Sequence, residues 1–293
     1  MKRPIALVSL LILAAPLLIG QGRIGPRIHP PELRARGIPE GTVRPKVFVL
    51  DGDDVVPQIA NGELGGGQIF FTEFNIQNIT NAPAEFIVDY VGPNGDPLPL
   101  PELVNEDPEE TEEFIGFEGS VPAKGVRFAT TWPFGAEVRL GYAVVTSIPP
   151  GAVVVSALYN NLVPGSRLFQ AGIPMTTRNH NRLFSVFTNR FGQRSSLALV
   201  SLSEQLVTVN ARDSDGLTRC SFNRMMVAGE HFPFLVQNEL PCTIEALKGG
   251  SGLAPEGTLE VFGPDASLAA VGFVAQDEGL GAFTTIQVAG EVP

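Results

Sequence analysis

Apolar residues recur at every second position along much of this chain, in short runs bounded by Gly, Pro, Asn and Asp. A period of two sends successive side chains to opposite faces, so the pattern predicts half-buried β-strands rather than helices. Over residues 70–76 (FFTEFNI), positions 70, 72, 74 and 76 are mostly apolar while Glu73 and Asn75 point the other way, giving one core face and one wet face. The same reading predicts strands over 47–50, 69–76, 86–91, 126–130, 138–146 and 153–158. Further strands are predicted over 183–187, 197–202, 207–212, 232–236, 257–262, 269–275 and 282–288. Short strands at near-regular intervals predict an all-β chain of antiparallel sandwiches.

Two stretches repeat one another in order. Gly67-Gln68, two alternating strands and the turn Pro93-Asn94-Gly95 parallel Gly192-Gln193, two strands and Ser214-Asp215-Gly216. Residues 121–125 (VPAKG) pair with 226–230 (MVAGE), and 141–161 align without gaps on 257–277. The endings at 169–174 and 286–293 also match. The preserved order reads as a duplication, with one β-sandwich domain at 46–174 and a second at 175–293. The copies differ by insertions. The first carries an acidic run between Glu102 and Glu118, expected as a solvated loop; the second carries a segment after Leu240 that holds Cys242.

The N-terminus departs from the β pattern. Met1-Lys2-Arg3 precedes a charge-free run from Ile5 to Ile19, shorter than the ~20 residues that span a bilayer. Residues 1–22 therefore read as a signal peptide, with Gly20 and Gly22 as the small residues at the cleavage positions; an uncleaved anchor is the alternative. Later runs are all too short to span, so the product is expected to be secreted, periplasmic or on the cell surface. Residues 23–45, rich in Pro and Arg, read as an extended linker. With 44% hydrophobic and 17% charged residues the chain is expected to fold, and its net charge of −11 argues against nucleic acid as a partner.

Export bears on the two cysteines. In an oxidising compartment Cys220 and Cys242 are expected to form a disulfide, with buried thiols or a metal pair as the alternatives. Asp51, Asp53 and Asp54 place hard oxygen ligands close together and form a candidate calcium site, as do Asp213 and Asp215 more weakly; neither set has EF-hand spacing. No other cofactor is expected. Arg178, Arg182, Arg190 and Arg194 alternate with Phe184, Phe187 and Phe191, which reads as a strand pair with arginines outside and phenylalanines inside. His180 and His231 occur without a Gly-x-Ser-x-Gly elbow or a His-Glu-x-x-His motif, and no catalytic residue is assigned. Trp132, Tyr142 and Tyr159 are candidates for a sugar-stacking platform, with Trp132 before Pro133 also read as a plug for one sandwich end.

Three segments, 56–62 (VPQIANG), the turns ending in Asn94-Gly95 or Asp215-Gly216, and 281–285 (GAFTT), carry a resemblance to uncharacterised secreted bacterial proteins built from tandem Ig-like or adhesin-like β-sandwich modules. The resemblance spans most of the chain after the leader and implies a surface or matrix protein, without catalytic residues to transfer. The expected function is non-enzymatic: a secreted or cell-surface structural or binding protein that presents loops, 99–118 and 239–256 foremost, to an envelope protein or polysaccharide. The alternatives are a carbohydrate-binding or carbohydrate-cleaving protein, and a subunit that assembles through the edge segment 47–50.

Overall fold

The computed structural model of the chain describes residues 33–37, 54–64, 66–104, 107–131, 137–164, 167–176, 180–190, 192–243, 255–276, 283–286 and 288–291. The leader, the strand expected at 47–50, Asp51, Asp53, Trp132, Arg178 and Phe191 lie outside them. The described chain is all-β in antiparallel sheets, with one four-residue helix.

The first half contributes β1 (Leu33–Gly37), β2 (Asp54–Leu64), β3 (Gln68–Asn78), β4 (Ala84–Val91), β5 (Leu100–Val104), β6 (Asp107–Val121), β7 (Val126–Thr130), β8 (Arg139–Ile148), β9 (Val153–Val163) and β10 (Arg167–Pro174). They pair in the order β1-β6-β4-β8-β2-β3-β9-β10, with β5 on β6 and β7 on β3. Strand β2 is shared: residues 54–61 pair with β8 and residues 62–64 with β3. The sheet therefore folds over at β2 into two layers. Phe74, Ile76, Val155 and Ile173 from one layer meet Phe86, Val88, Tyr90, Phe117 and Val145 from the other. Phe117 is the hub, with Phe74, Phe86 and Tyr90 at ring separations of 5.4, 6.0 and 6.1 Å.

The second half contributes β11 (Arg182–Thr188), β12 (Gln193–Ser201), β13 (Gln205–Arg212), β14 (Thr218–Met226), β15 (Glu230–Leu235), α1 (Val236–Glu239), β16 (Glu256–Phe262), β17 (Leu268–Gln276), β18 (Phe283–Ile286) and β19 (Val288–Glu291). One layer runs β14-β13-β16-β11-β19 and the other β15-β12-β17-β18. Their core holds Leu183, Phe187, Leu199, Val207, Val209, Leu259 and Val261.

One strand order occurs twice. The sequence β6-β4-β8-β2 matches β14-β13-β16-β11, and β7-β3-β9-β10 matches β15-β12-β17-β18. Register agrees between the layers β6-β4-β8-β2 and β14-β13-β16-β11: Asp89 faces Gly116 and Val144 as Asn210 faces Ser221 and Glu260. One expected match shifts. Phe71 lies opposite Asn160 where Gln193 lies opposite Gln276, so Gln193 takes the place of Phe71 and not of Gln68.

The two sandwiches meet through a broad apolar face. On β12 and β17, Leu197, Leu199 and Ala270 point into the second core. On the opposite face, Ala198 and Val271 join the first core, while Val200 and Ala269 pack on Val55, Val91, Tyr142 and Val144. Burial on both faces is why 197–200 (LALV) and 268–271 (LAAV) are continuous apolar runs rather than alternating ones.

The structure also contains strands that the pattern does not announce. The acidic segment expected as a loop is instead a hairpin of β5 and β6, with Leu100 opposite Phe114. Strand β14 has mostly exposed side chains, as an outer edge strand should, so it lacks an apolar signature. Within the expected linker, residues 33–37 pair with β6, and Arg36 forms an ion pair with Asp89 of the next strand.

Candidate functional site

Strand alternation brings two side-chain sets together at the junction. On β3 and β9 the face that carries Phe74 and Ala157 into the first core continues to Gln68, Phe70, Tyr159 and Asn161, since Phe70 lies opposite Asn161 and Thr72 opposite Tyr159. On the second half, Ser196 lies opposite Phe273 and Ala198 opposite both Val271 and Pro233. Between them is a cleft of about 320 Å³, completed by Gln58, Leu140, Leu197 and Ala275. Tyr159 stands at the centre of a ring arc, 5.6 Å from Phe70 and 5.8 Å from Phe273. Burial pushes its phenol well above the usual tyrosine range, so it stays protonated.

Gln58 arrives by way of a bulge. The β2–β8 register slips between Val56 and Ile59, and Pro57, which has no N–H for a ladder, is tolerated there. The displaced Gln58 reaches across to the other sandwich, where its Oε1 accepts from His231 Nε2 at 2.9 Å; its own Nε2 donates to the Ile59 carbonyl at 3.2 Å. Behind this contact the halves are keyed together. The His231 amide donates to the Pro93 carbonyl at 2.9 Å, and the Tyr142 hydroxyl donates to the Gly229 carbonyl at 3.2 Å. Gly95 and Gly229, both at positive φ (80° and 81°), stand back to back: a Cβ on Gly229 would lie 3.0 Å from the Gly95 Cα. Burial keeps His231 neutral, lowering its pKa to about 4 against the opposing pull of the Pro57 carbonyl.

The residues singled out from the sequence are distributed differently. Cys220 on β14 and Cys242, in the 3-10 turn Pro241–Thr243, are joined by a disulfide with Cα atoms 6.0 Å apart, which pins the second insertion to its own sandwich. Asp54 opens β2, and among the described residues no three His, Cys, Asp or Glu side chains come together as metal ligands. Asp213 closes a turn. Partial desolvation raises its pKa, but the amides of Leu217 and Asp215 and the Arg219 guanidinium outweigh this and hold it low.

Of the Arg/Phe set, Phe187 is in the core as expected, but Phe184 shares the outer face with Arg182 because the two lie at alternate positions of one strand, on either side of Leu183. On that face Glu260 is nearly buried and pairs with Arg212 and Arg182, with Asn210 donating at 3.2 Å. Desolvation raises the Glu260 pKa, and these partners more than reverse it. The three-residue sugar platform is not assembled: Tyr142 is fully buried at the junction and Tyr159 lines the cleft. His180 wedges between β17 and β19, its carbonyl accepting from Leu268.

Sequence reasoning passed over Gln58, Gln68, Phe70, Asn161 and Phe273. The one local signal was Pro57 within an apolar run, which marks a bulge. None of the described residues lining the cleft belongs to the insertions at 99–118 and 239–256.

No protein-family model matches this chain, nor does any curated protein or solved structure. Fold and site alone define it as an all-β sandwich protein whose two strand-order repeats enclose a ring-lined cleft.

Proposed function

We propose that this is an exported, non-enzymatic binding and structural protein of the cell envelope or its surroundings, made by duplication of one sandwich module, with the junction cleft as its binding site. The observation that carries the reading is the cleft: a mostly apolar recess between two bodies locked by a common buried face, the setting in which small-ligand sites concentrate. Support for export comes from the charged and apolar N-terminus together with the disulfide. The test is to incubate the purified chain with envelope polysaccharide and protein fractions. Saturable binding without product formation is expected. Turnover that a single carboxylate substitution abolishes would overturn the reading.

A second reading, self-assembly, is favoured by one feature. Strand β1 pairs on the free edge of β6, so the chain already uses strand addition at that edge. Concentration-dependent filaments that disappear on deleting residues 23–50 would establish it; a chain that stays monomeric on concentration would remove it.

A further inference from the structure

We infer that the junction cleft takes an uncharged carbohydrate of one or two rings. This rests on reading the cleft as the binding site. Three properties of its wall favour such a ligand.

The first is charge. None of the described residues lining the cleft is Asp, Glu, Lys, Arg or His. A charged ligand would leave water without gaining a partner, a cost that selects against it. The second is the ring arc of Phe70, Tyr159 and Phe273, all partly exposed. Successive rings are tilted by 55° and 50°, so they form a curved apolar wall rather than a flat stack. Such a wall accepts the C–H face of a pyranose, just as aromatic faces accept other weakly positive edges. The third is the polar complement. Gln68, Asn161 and Ser196 line the same space, beside Gln58, whose carboxamide is held by His231 and the Ile59 carbonyl. A carboxamide has two donors and an acceptor oxygen, and a serine hydroxyl does both jobs, which matches sugar hydroxyls that also donate and accept.

These properties separate a sugar from other neutral occupants. A purely apolar ligand would desolvate the carboxamides and the hydroxyl without replacing their hydrogen bonds. The volume, about 320 Å³, is at the small end of the roughly 300–1,000 Å³ typical of small-molecule sites, which limits the ligand to one or two rings. The site is also preorganised. The Gln58 to His231 contact and the keyed glycines hold its two walls in place, so binding need not order them.

The test uses the purified chain and nuclear magnetic resonance of its aromatic and carboxamide signals. It is titrated in parallel with neutral mono- and disaccharides, with the uronic acids of the same sugars, and with cyclohexanol as an apolar ring of similar size. At least one neutral sugar should shift the Phe273, Tyr159 and Gln68 signals saturably, with its uronic acid binding at least about tenfold more weakly. Phe273→Ala should weaken sugar binding about tenfold. Gln68→Leu, which keeps the shape and removes the hydrogen bonds, should weaken the sugar similarly while leaving cyclohexanol unaffected; it serves as the second variant if Phe273→Ala does not fold. A uronic acid that binds as tightly as its neutral parent overturns the inference. So does a response of the cleft signals to cyclohexanol alone, which would leave the cleft as a site for a different ligand. Cleft signals that respond to none of the three would reject the cleft as the binding site altogether.

Discussion

At the scale of single residues, the junction depends on groups whose chemistry is ordinary and whose placement is not. Gly229 has a positive φ and its Cα faces that of Gly95 across the junction, so Gly229→Ala meets both backbone strain and a 3.0 Å contact. We expect a loss of about 1–3 kcal/mol, measured by denaturant unfolding. An unchanged midpoint would mean that the two turns do not touch. His231 adds a pH dependence whose direction follows from its burial. The unfolded imidazole takes up a proton near pH 6.5 and the folded one only near pH 4, so the unfolded state binds more protons in that window. Stability should therefore be full above pH 6.5, fall by up to about 3 kcal/mol as the pH drops to about 4, and lose nothing further from this group below that. His231→Gln should flatten that slope; parallel pH profiles of the two proteins would rule the assignment out.

Elements were legible in proportion to how cleanly one face was dry. Strands such as β4 and β13, alternating buried and partly exposed positions, could be read from period alone. Strand β14 could not, because an edge strand with an exposed outer side has little apolar pattern, and β6 begins in a run of carboxylates that composition assigns to solvent. Strand β2 was hidden by its own bulge: Pro57 argues against a central strand unless the ladder is broken there, which it is. The disulfide was readable from the cysteine count together with the expectation of export, and its role is local. Cys220 and Cys242 pack on the second core beside Phe222 and Phe232 and hold the segment from Val236 to Thr243 against it. Replacing both cysteines with alanine should lower the unfolding free energy by about 3 kcal/mol in the chain-entropy account, read as a shift in the denaturant midpoint.

For the whole molecule, the apolar face between the sandwiches predicts that the halves unfold together. Calorimetry should show a single transition for the full chain, with calorimetric and van't Hoff enthalpies in agreement. Val200→Asp would place a carboxylate among Val55, Tyr142, Val144 and Ala269, at a cost of about 3 kcal/mol or more, and should split or strongly lower that transition. Two transitions in the unaltered chain would show that the face does not couple the halves.

The sequence by itself determined the all-β character, because a period of two is a property of each strand and needs no neighbour. It also determined the hairpin turns, whose Asn-Gly and Asp-Gly steps provide the positive φ at Gly95 and Gly216. Only the tertiary structure decided which strands lie back to back, and hence that Phe70 and Phe273, about two hundred residues apart in the chain, share a wall. Local pattern specifies which face of a strand is dry; what that face meets depends on packing across the whole molecule.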